Sequence, residues 1–212
     1  MPARGGAVTR AAGIVDVVED DDAVTSGAPA VRFEVVAYDG PDAARFTAAA
    51  QRFYVERYGG ADRTPVDPAE FAPPRGLFLV GREVGREHGR EHGAAVCCGG
   101  WRRHDAGTIA ARDRGVLQPG DAELKRMWVE PARRRRGLAR RVLAELERTA
   151  AAAGCLRTVL ETGVRQPESL ALYRVAGYRP IDRFGVYRDD ADSLCFARDL
   201  TPPTRGAPAG TG

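Results

Sequence analysis

The sequence predicts a mixed α/β domain of the α+β type, in which strands dominate early, two strand–helix units follow and a strand pair closes the chain. Three observations predict it. Short apolar runs of strand length recur along the chain. An apolar stripe at Leu138, Val142 and Leu146 repeats every four residues, as a helix requires. Gly or Pro separates the segments. The 212 residues suit one domain of ordinary size.

Val31, Phe33, Val35 and Ala37 alternate as a strand does, and Pro41 with Asp42 opens a helical stretch carrying Phe46, Ala49 and Phe53 that stops at Gly59 and Gly60. Residues 61–75 contain four prolines and read as a loop or a broken short helix. Runs 77–80 and 94–101 read as a hairpin with an inflated loop, 81–93. That loop repeats Gly-Arg-Glu-His and places His88 and His92 four apart, the spacing of one metal-binding helix face. Each repeat also carries a glycine, which costs about 1 kcal/mol in a helix interior, and no third ligand is marked, so no metal is expected. The third strand is 122–129. A clean amphipathic helix follows from Leu138 to a stop at Gly154, with Arg140, Arg141, Glu145, Glu147 and Arg148 on its wet face. Residues 156–161 form the next strand, Pro167 starts a helix that Gly177 ends, and 178–188 and 194–199 read as two closing strands. Residues 1–30 and 201–212, rich in Gly, Ala and Pro, are expected to be disordered tails around a domain at 31–200.

Composition narrows the function less than the pattern does. Hydrophobic residues make up 43% and charged residues 29%, a globular balance. Lysine occurs once, at Lys125, and asparagine never, so the arginine excess reads first as codon bias. A net charge of +3 is too mild to demand nucleic acid. No stretch approaches the roughly 18 to 20 apolar residues that cross a bilayer, and the N-terminus lacks a signal-peptide pattern, so a cytoplasmic protein is expected. Cys97, Cys98, Cys155 and Cys195 lie in apolar runs without metal or redox spacing and read as small buried hydrophobes.

The most informative stretch runs from Glu123 to Ala139: a strand enters a loop with arginines at 133–136 and Gly137, and a helix starts at once. A helix N-terminus leaves amides without partners and favours negative charge, and arginines add charge-assisted contacts, so this is a pyrophosphate site in form. Neither G-x-x-x-x-G-K-[ST] nor G-x-G-x-x-G is present.

Arg134-x-x-Gly137-x-Ala139 fits a [Gln or Arg]-x-x-Gly-x-[Gly or Ala] signature, and its context extends the match through the preceding strand, the next strand ending Leu-Glu-Thr, and Leu172-Tyr173-x-x-x-Gly177-Tyr178. On these residues the chain resembles the GNAT superfamily of acyl-coenzyme A dependent N-acetyltransferases, in order over 31–200. The resemblance implies a mixed, mostly antiparallel sheet flanked by helices and split into a V where two parallel strands splay. It implies acetyl transfer from acetyl-coenzyme A to a primary amine by direct attack in a ternary complex. Arg134 would support the signature loop, and the amides of Arg135, Arg136, Gly137, Leu138, Ala139 and Arg140 would wrap the pyrophosphate. The backbone of Met127 and Val129 would bind the pantetheine arm as an added strand would. Gln166 and Ser169 stand where the family commonly has Asn and Ala, which puts a coenzyme contact through Gln166 in question.

By the same resemblance Tyr173 is the general acid, Glu123 the general base and the Met127 amide the oxyanion donor. Tyr173 also fits a core aromatic on the Leu170 stripe, and Glu123 also fits an ion pair with a neighbouring arginine. Strand alternation places Glu123, Lys125, Met127 and Val129 on one face, and Leu124, Arg126 and Trp128 on the other, Arg126 and Trp128 packing under the helices. The acceptor would be set by residues 53–75 and 184–188, with Tyr54, Tyr58 and Asp62 as candidates. The partner expected is an amine, small molecule or peptide, with no nucleic acid or membrane; a homodimer is compatible. The competing readings are a non-catalytic acyl-coenzyme A binding module and an arginine-rich nucleic-acid binder.

Overall fold

The computed structural model describes residues 30–84 and 93–200. The two expected tails, and the repeat carrying His88 and His92, lie outside the described residues.

Among the described residues seven strands form one sheet in the order β1-β2-β3-β4-β5-β7-β6. The strands are β1 (Val31–Val36), β2 (Gly76–Glu83), β3 (Ala95–Arg103), β4 (Asp121–Val129), β5 (Arg157–Gly163), β6 (Arg179–Ile181) and β7 (Ser193–Asp199), and the helices are α1 (Pro41–Tyr58), α2 (Leu138–Ala152) and α3 (Pro167–Val175). Every neighbouring pair is antiparallel except β4 and β5. The helices cover both faces. On one, Ala43 and Phe46 of α1 bury against Phe71, Phe78, Val80 and Cys98. On the other, Leu138, Val142, Leu143, Leu146 and Ala150 of α2 bury against Leu77, Leu79, Trp101 and Leu124. The stripe read from sequence is this second contact, and burial of each such side chain contributes about 1.5–3 kcal/mol. The four cysteines are free and buried, and burial pushes the Cys97 thiol up to about 12.

The Trp101 indole N–H, in that core, donates to Thr149 Oγ1 at 3.1 Å, and Thr149 in turn bonds the α2 carbonyls of Glu145 and Leu146 at 2.9 and 3.0 Å. Thr149→Val keeps the volume but strands a buried donor. A loss of about 1–3 kcal/mol is expected in chemical denaturation.

Two sequence expectations are corrected. Residues 178–188 do not form one strand. Pairing stops at Ile181, and the chain turns through Gly185 (φ 73°) into a short 3-10 turn, because Phe184 is drawn into a satellite core with Ile109, Leu117 and Val159. The second correction concerns β4. Cys98 faces Trp128 and Gly100 faces Lys125, so Arg126 and Met127 share the single partner position of Gly99, and Arg126 takes φ 56°. This β-bulge shifts the alternation by one residue. Leu124, Met127 and Val129 therefore face α2, while Trp128 joins the α1 side. A Cβ on Gly99 would come within about 3.1 Å of Leu146, Val142 and Met127, so the bulge needs glycine opposite it.

Candidate functional site

β4 and β5 pair through only three positions, Asp121 with Arg157, Ala122 with Thr158 and Glu123 with Val159, and then diverge. The V-shaped split expected from the family resemblance is present, and it opens into a cavity of about 1260 Å³. β4 and the start of α2 form one wall, β5 and α3 the opposite wall, and the end of α1 with the following loop closes one end.

At the α2 end the backbone forms a cradle. Arg135 (φ 62°) and Gly137 (φ 74°) both adopt left-handed conformations, a turn pattern that aims successive amides into one concavity. No side chain caps α2. The first helical bonds are those from Arg140 and Arg141 to the Gly137 carbonyl, at 3.0 and 3.2 Å, so the amides ahead of them leave the helix end unspent. Arg134 donates from Nε to the Val129 carbonyl at 3.1 Å and lies over Trp128, 4.8 Å from the ring centroid, which fixes the loop from inside. Arg134, Arg135, Gly137, Leu138, Ala139 and Arg140 line the cavity, as do Met127 and Val129. Arg136 is exposed and its side chain is not part of the cavity wall, so its expected contribution is the backbone amide alone. Arg133 is spent on Glu83 of β2, at 3.0 Å. Of the four consecutive arginines, only two therefore face the cavity. The uncapped amides, two left-handed turns and adjoining cationic side chains fit a pyrophosphate.

Gln166 stands at the N-terminal boundary of α3 without a side-chain cap and lines the wall, and its Nε2 donates to Tyr58 Oη at 3.3 Å, tying α3 to α1. Its amide is thus engaged by protein. Tyr54, Tyr58 and Asp62 all line the opposite end of the cavity, and from residues 184–188 the wall takes Tyr187.

Tyr173 is 8% exposed, packs on Tyr178 and Phe196 with ring centroids 5.5 and 6.4 Å away, and points its hydroxyl at Met127 Sδ, 3.8 Å distant on the facing strand. The ring packs in the core, and the residue also lines the cavity. Burial, with the Glu161 carboxylate adding to it, raises the phenol well above its ordinary range.

Glu123 is placed differently from expectation. The residue is 2% exposed and absent from the cavity wall. Oε2 accepts from Arg102 Nε at 2.8 Å and meets His104 Nε2 at 2.9 Å, and Oε1 pairs with Lys125 Nζ at 2.7 Å. Burial alone would raise this carboxyl, yet Lys125, His104 and Arg102 outweigh it and hold the group well below the usual carboxylate range. The pairing with a neighbouring arginine is what the structure contains.

A second carboxylate was missed in the sequence. Glu161, in the middle of the apolar β5, lines the cavity and accepts from Ser193 Oγ at 3.2 Å. Burial raises its pKa above the ordinary value; Lys125 lowers it, and Asp62 and Glu123 raise it further. The available signal was an acidic residue interrupting an apolar strand beside the signature.

The comparisons agree with this geometry. Residues 82–178 match the Acetyltransferase (GNAT) family. An IAA acetyltransferase of Azospirillum brasilense is 40% identical over 94 residues, which are 44% of this chain and 59% of that protein, so the chain matches about three-fifths of the length of that relative. A protein of Klebsiella pneumoniae subsp. pneumoniae assigned as an acyl-CoA N-acyltransferase superposes with TM-score 0.59 at 24% identity, over 81% of this chain and 98% of the other. Arabidopsis thaliana NAA60, solved with acetyl-CoA, superposes with TM-score 0.54 at 12% identity, over 81% and 99%. At these identities the structures speak for the fold. Over residues 82–178 the chain is therefore similar in sequence to the Acetyltransferase (GNAT) family, and over about four-fifths of its length it shares the fold of these solved structures.

Among the described residues no group of His, Cys, Asp and Glu is arranged to hold a metal ion, and no helix is long and apolar enough to cross a membrane.

Proposed function

We propose that the protein transfers an acetyl group from acetyl-coenzyme A to a primary amine, by direct attack within a ternary complex. The observation that carries this reading is one continuous cavity running from the uncapped start of α2, between the splayed β4 and β5, to the hydroxyl of Tyr173. Pyrophosphate lies at the amides of residues 135–140, and the pantetheine arm lies along Met127 and Val129 as an added edge would. The amine enters from the end walled by Tyr54, Tyr58 and Asp62. The Met127 amide polarises the acyl oxygen, and the Tyr173 hydroxyl supplies the proton that the departing thiolate takes. The direct route needs no protein nucleophile, because a deprotonated amine is itself competent, and the buried thiols, held protonated, offer none.

The test is release of free thiol from acetyl-coenzyme A across spermidine, glycine, an N-terminal alanyl peptide and kanamycin. Amine-dependent release supports the reading; binding of coenzyme A without release from any amine supports the non-catalytic module instead.

Gly137 offers a separate check on the cradle. A Cβ there would meet nothing within 4 Å, so Gly137→Ala acts only through the left-handed backbone, which costs a non-glycine residue about 1–2 kcal/mol. Coenzyme A affinity is expected to fall roughly tenfold in calorimetric titration.

A further inference from the structure

We propose that Glu161, and not Glu123, takes the proton from the acceptor ammonium, while Glu123 fixes Lys125 and Arg102 in place. The inference rests on the acetyl-transfer reading above and deepens it.

The two carboxylates lie on adjacent strands, and the split of the sheet separates their fates. Glu123 stands at the last paired position of β4 and β5, opposite Val159, where the strands are still closed together. Glu161 stands two residues further along β5, past the point of divergence, and so lines the cavity. The charges around them differ in the same sense. Glu123 has a cation on both oxygens, so an incoming ammonium would have to displace Lys125, Arg102 or His104. Among the described residues Glu161 has one neutral donor, the Ser193 hydroxyl, and keeps lone pairs for the cavity. The groups facing it are Lys125 and Glu123 from β4, Asp62 from the loop after α1, Tyr54 from α1, Tyr173 from α3, and Ser193 and Cys195 from β7. Most of these are acidic or neutral, which suits a cationic amine. Burial and the nearby carboxylates push Glu161 upward, towards the range where a base works best at neutral pH, whereas Glu123 is pulled the other way.

The step balances as follows. One N–H bond of the ammonium breaks and its proton goes to a Glu161 oxygen. The freed lone pair forms the N–C bond to the acetyl carbon, the C–S bond breaks, and the thiolate takes the Tyr173 proton. The second N–H proton, shed as the amide forms, returns to the Tyr173 oxygen, and Glu161 gives its proton to solvent.

The experiment compares wild type, Glu161→Gln and Glu123→Gln in acetyl transfer to the four amines named above, from pH 5 to 9, with coenzyme A affinity and thermal stability measured in parallel. For Glu161→Gln, turnover is expected to fall by about 10²–10⁴-fold, with coenzyme A affinity unchanged and the acid limb of the kcat profile replaced by one that follows the pKa of the amine itself. Glu123→Gln is expected to keep the acid limb. Stability supplies a readout independent of the amine. A carboxyl whose folded pKa is raised stabilises below its unfolded pKa and loses that contribution as pH rises through the folded value. The melting temperature of Glu161→Gln relative to wild type should therefore rise as pH increases above the ordinary glutamate pKa of about 4.3. An active wild type whose acid limb survives in Glu161→Gln, or vanishes in Glu123→Gln, overturns this assignment alone. A wild type that binds coenzyme A and acetylates nothing overturns the parent reading with it.

Discussion

Tyr173→Phe is expected to lower turnover by roughly 10²–10⁴-fold and to leave coenzyme A affinity and melting temperature close to wild type. The substitution is clean because the ring and the hydroxyl do different work. The ring packs with Tyr178 and Phe196 in the α2-side core, and phenylalanine preserves those contacts. The hydroxyl makes one weak contact, to Met127 Sδ at 3.8 Å, so little stability goes with it. What is lost is a proton donor on the cavity wall where β4 and β5 have parted. Burial and the Glu161 carboxylate both raise the phenol, so it stays protonated throughout the neutral range and the residual activity of the variant should show no new pH dependence between pH 6 and 9. Steady-state thiol release combined with calorimetric titration decides the matter. Unchanged turnover would make Tyr173 a core aromatic and nothing more.

That outcome bears on what the sequence makes legible. The α2 stripe, the glycine at the cradle and the order of strands and helices are local patterns, and each appears in the fold where periodicity and turn chemistry put it. The β4 bulge is not local. Nothing in Glu123 to Val129 forbids simple alternation, and the slip arises because Gly99, on another strand, lets Leu146 and Val142 of α2 come close to Met127. The fate of Glu123 is equally non-local, since its partners Arg102 and His104 come from β3 and the residue after it. Sequence offset finds the position of a carboxylate; the number of cations around it is a property of the folded sheet. The arginine run illustrates the same limit, because identical residues at 133, 134 and 136 end on Glu83, over Trp128 and in solvent, respectively.

Asp62→Ala is expected to destabilise the protein by about 1–3 kcal/mol, the range for leaving a partly buried hydrogen-bonded group without its partner. Asp62 pairs with the Arg126 guanidinium, their side chains being 18% and 6% exposed. It also accepts from the Thr64 amide at 2.8 Å and from Tyr187 Oη at 3.0 Å. Without it the guanidinium would keep, among the described residues, the Tyr38 hydroxyl at 3.4 Å. Arg126 is the left-handed residue of the β4 bulge, a conformation costing about 1–2 kcal/mol outside glycine, so the pair also holds the turn that sends Met127 towards α2. The pH dependence has a definite sign. Burial would raise the Asp62 carboxyl, but Arg126 and the Thr64 hydrogen bonds outweigh it and lower its pKa. A group with a depressed folded pKa stabilises above its unfolded value, about 3.9 for aspartate, and loses that contribution as pH falls through the folded one. The gap in melting temperature between wild type and Asp62→Ala should therefore be full at pH 7 and close progressively below about pH 4. A gap independent of pH would place the loss in packing of the loop after α1 rather than in the ion pair.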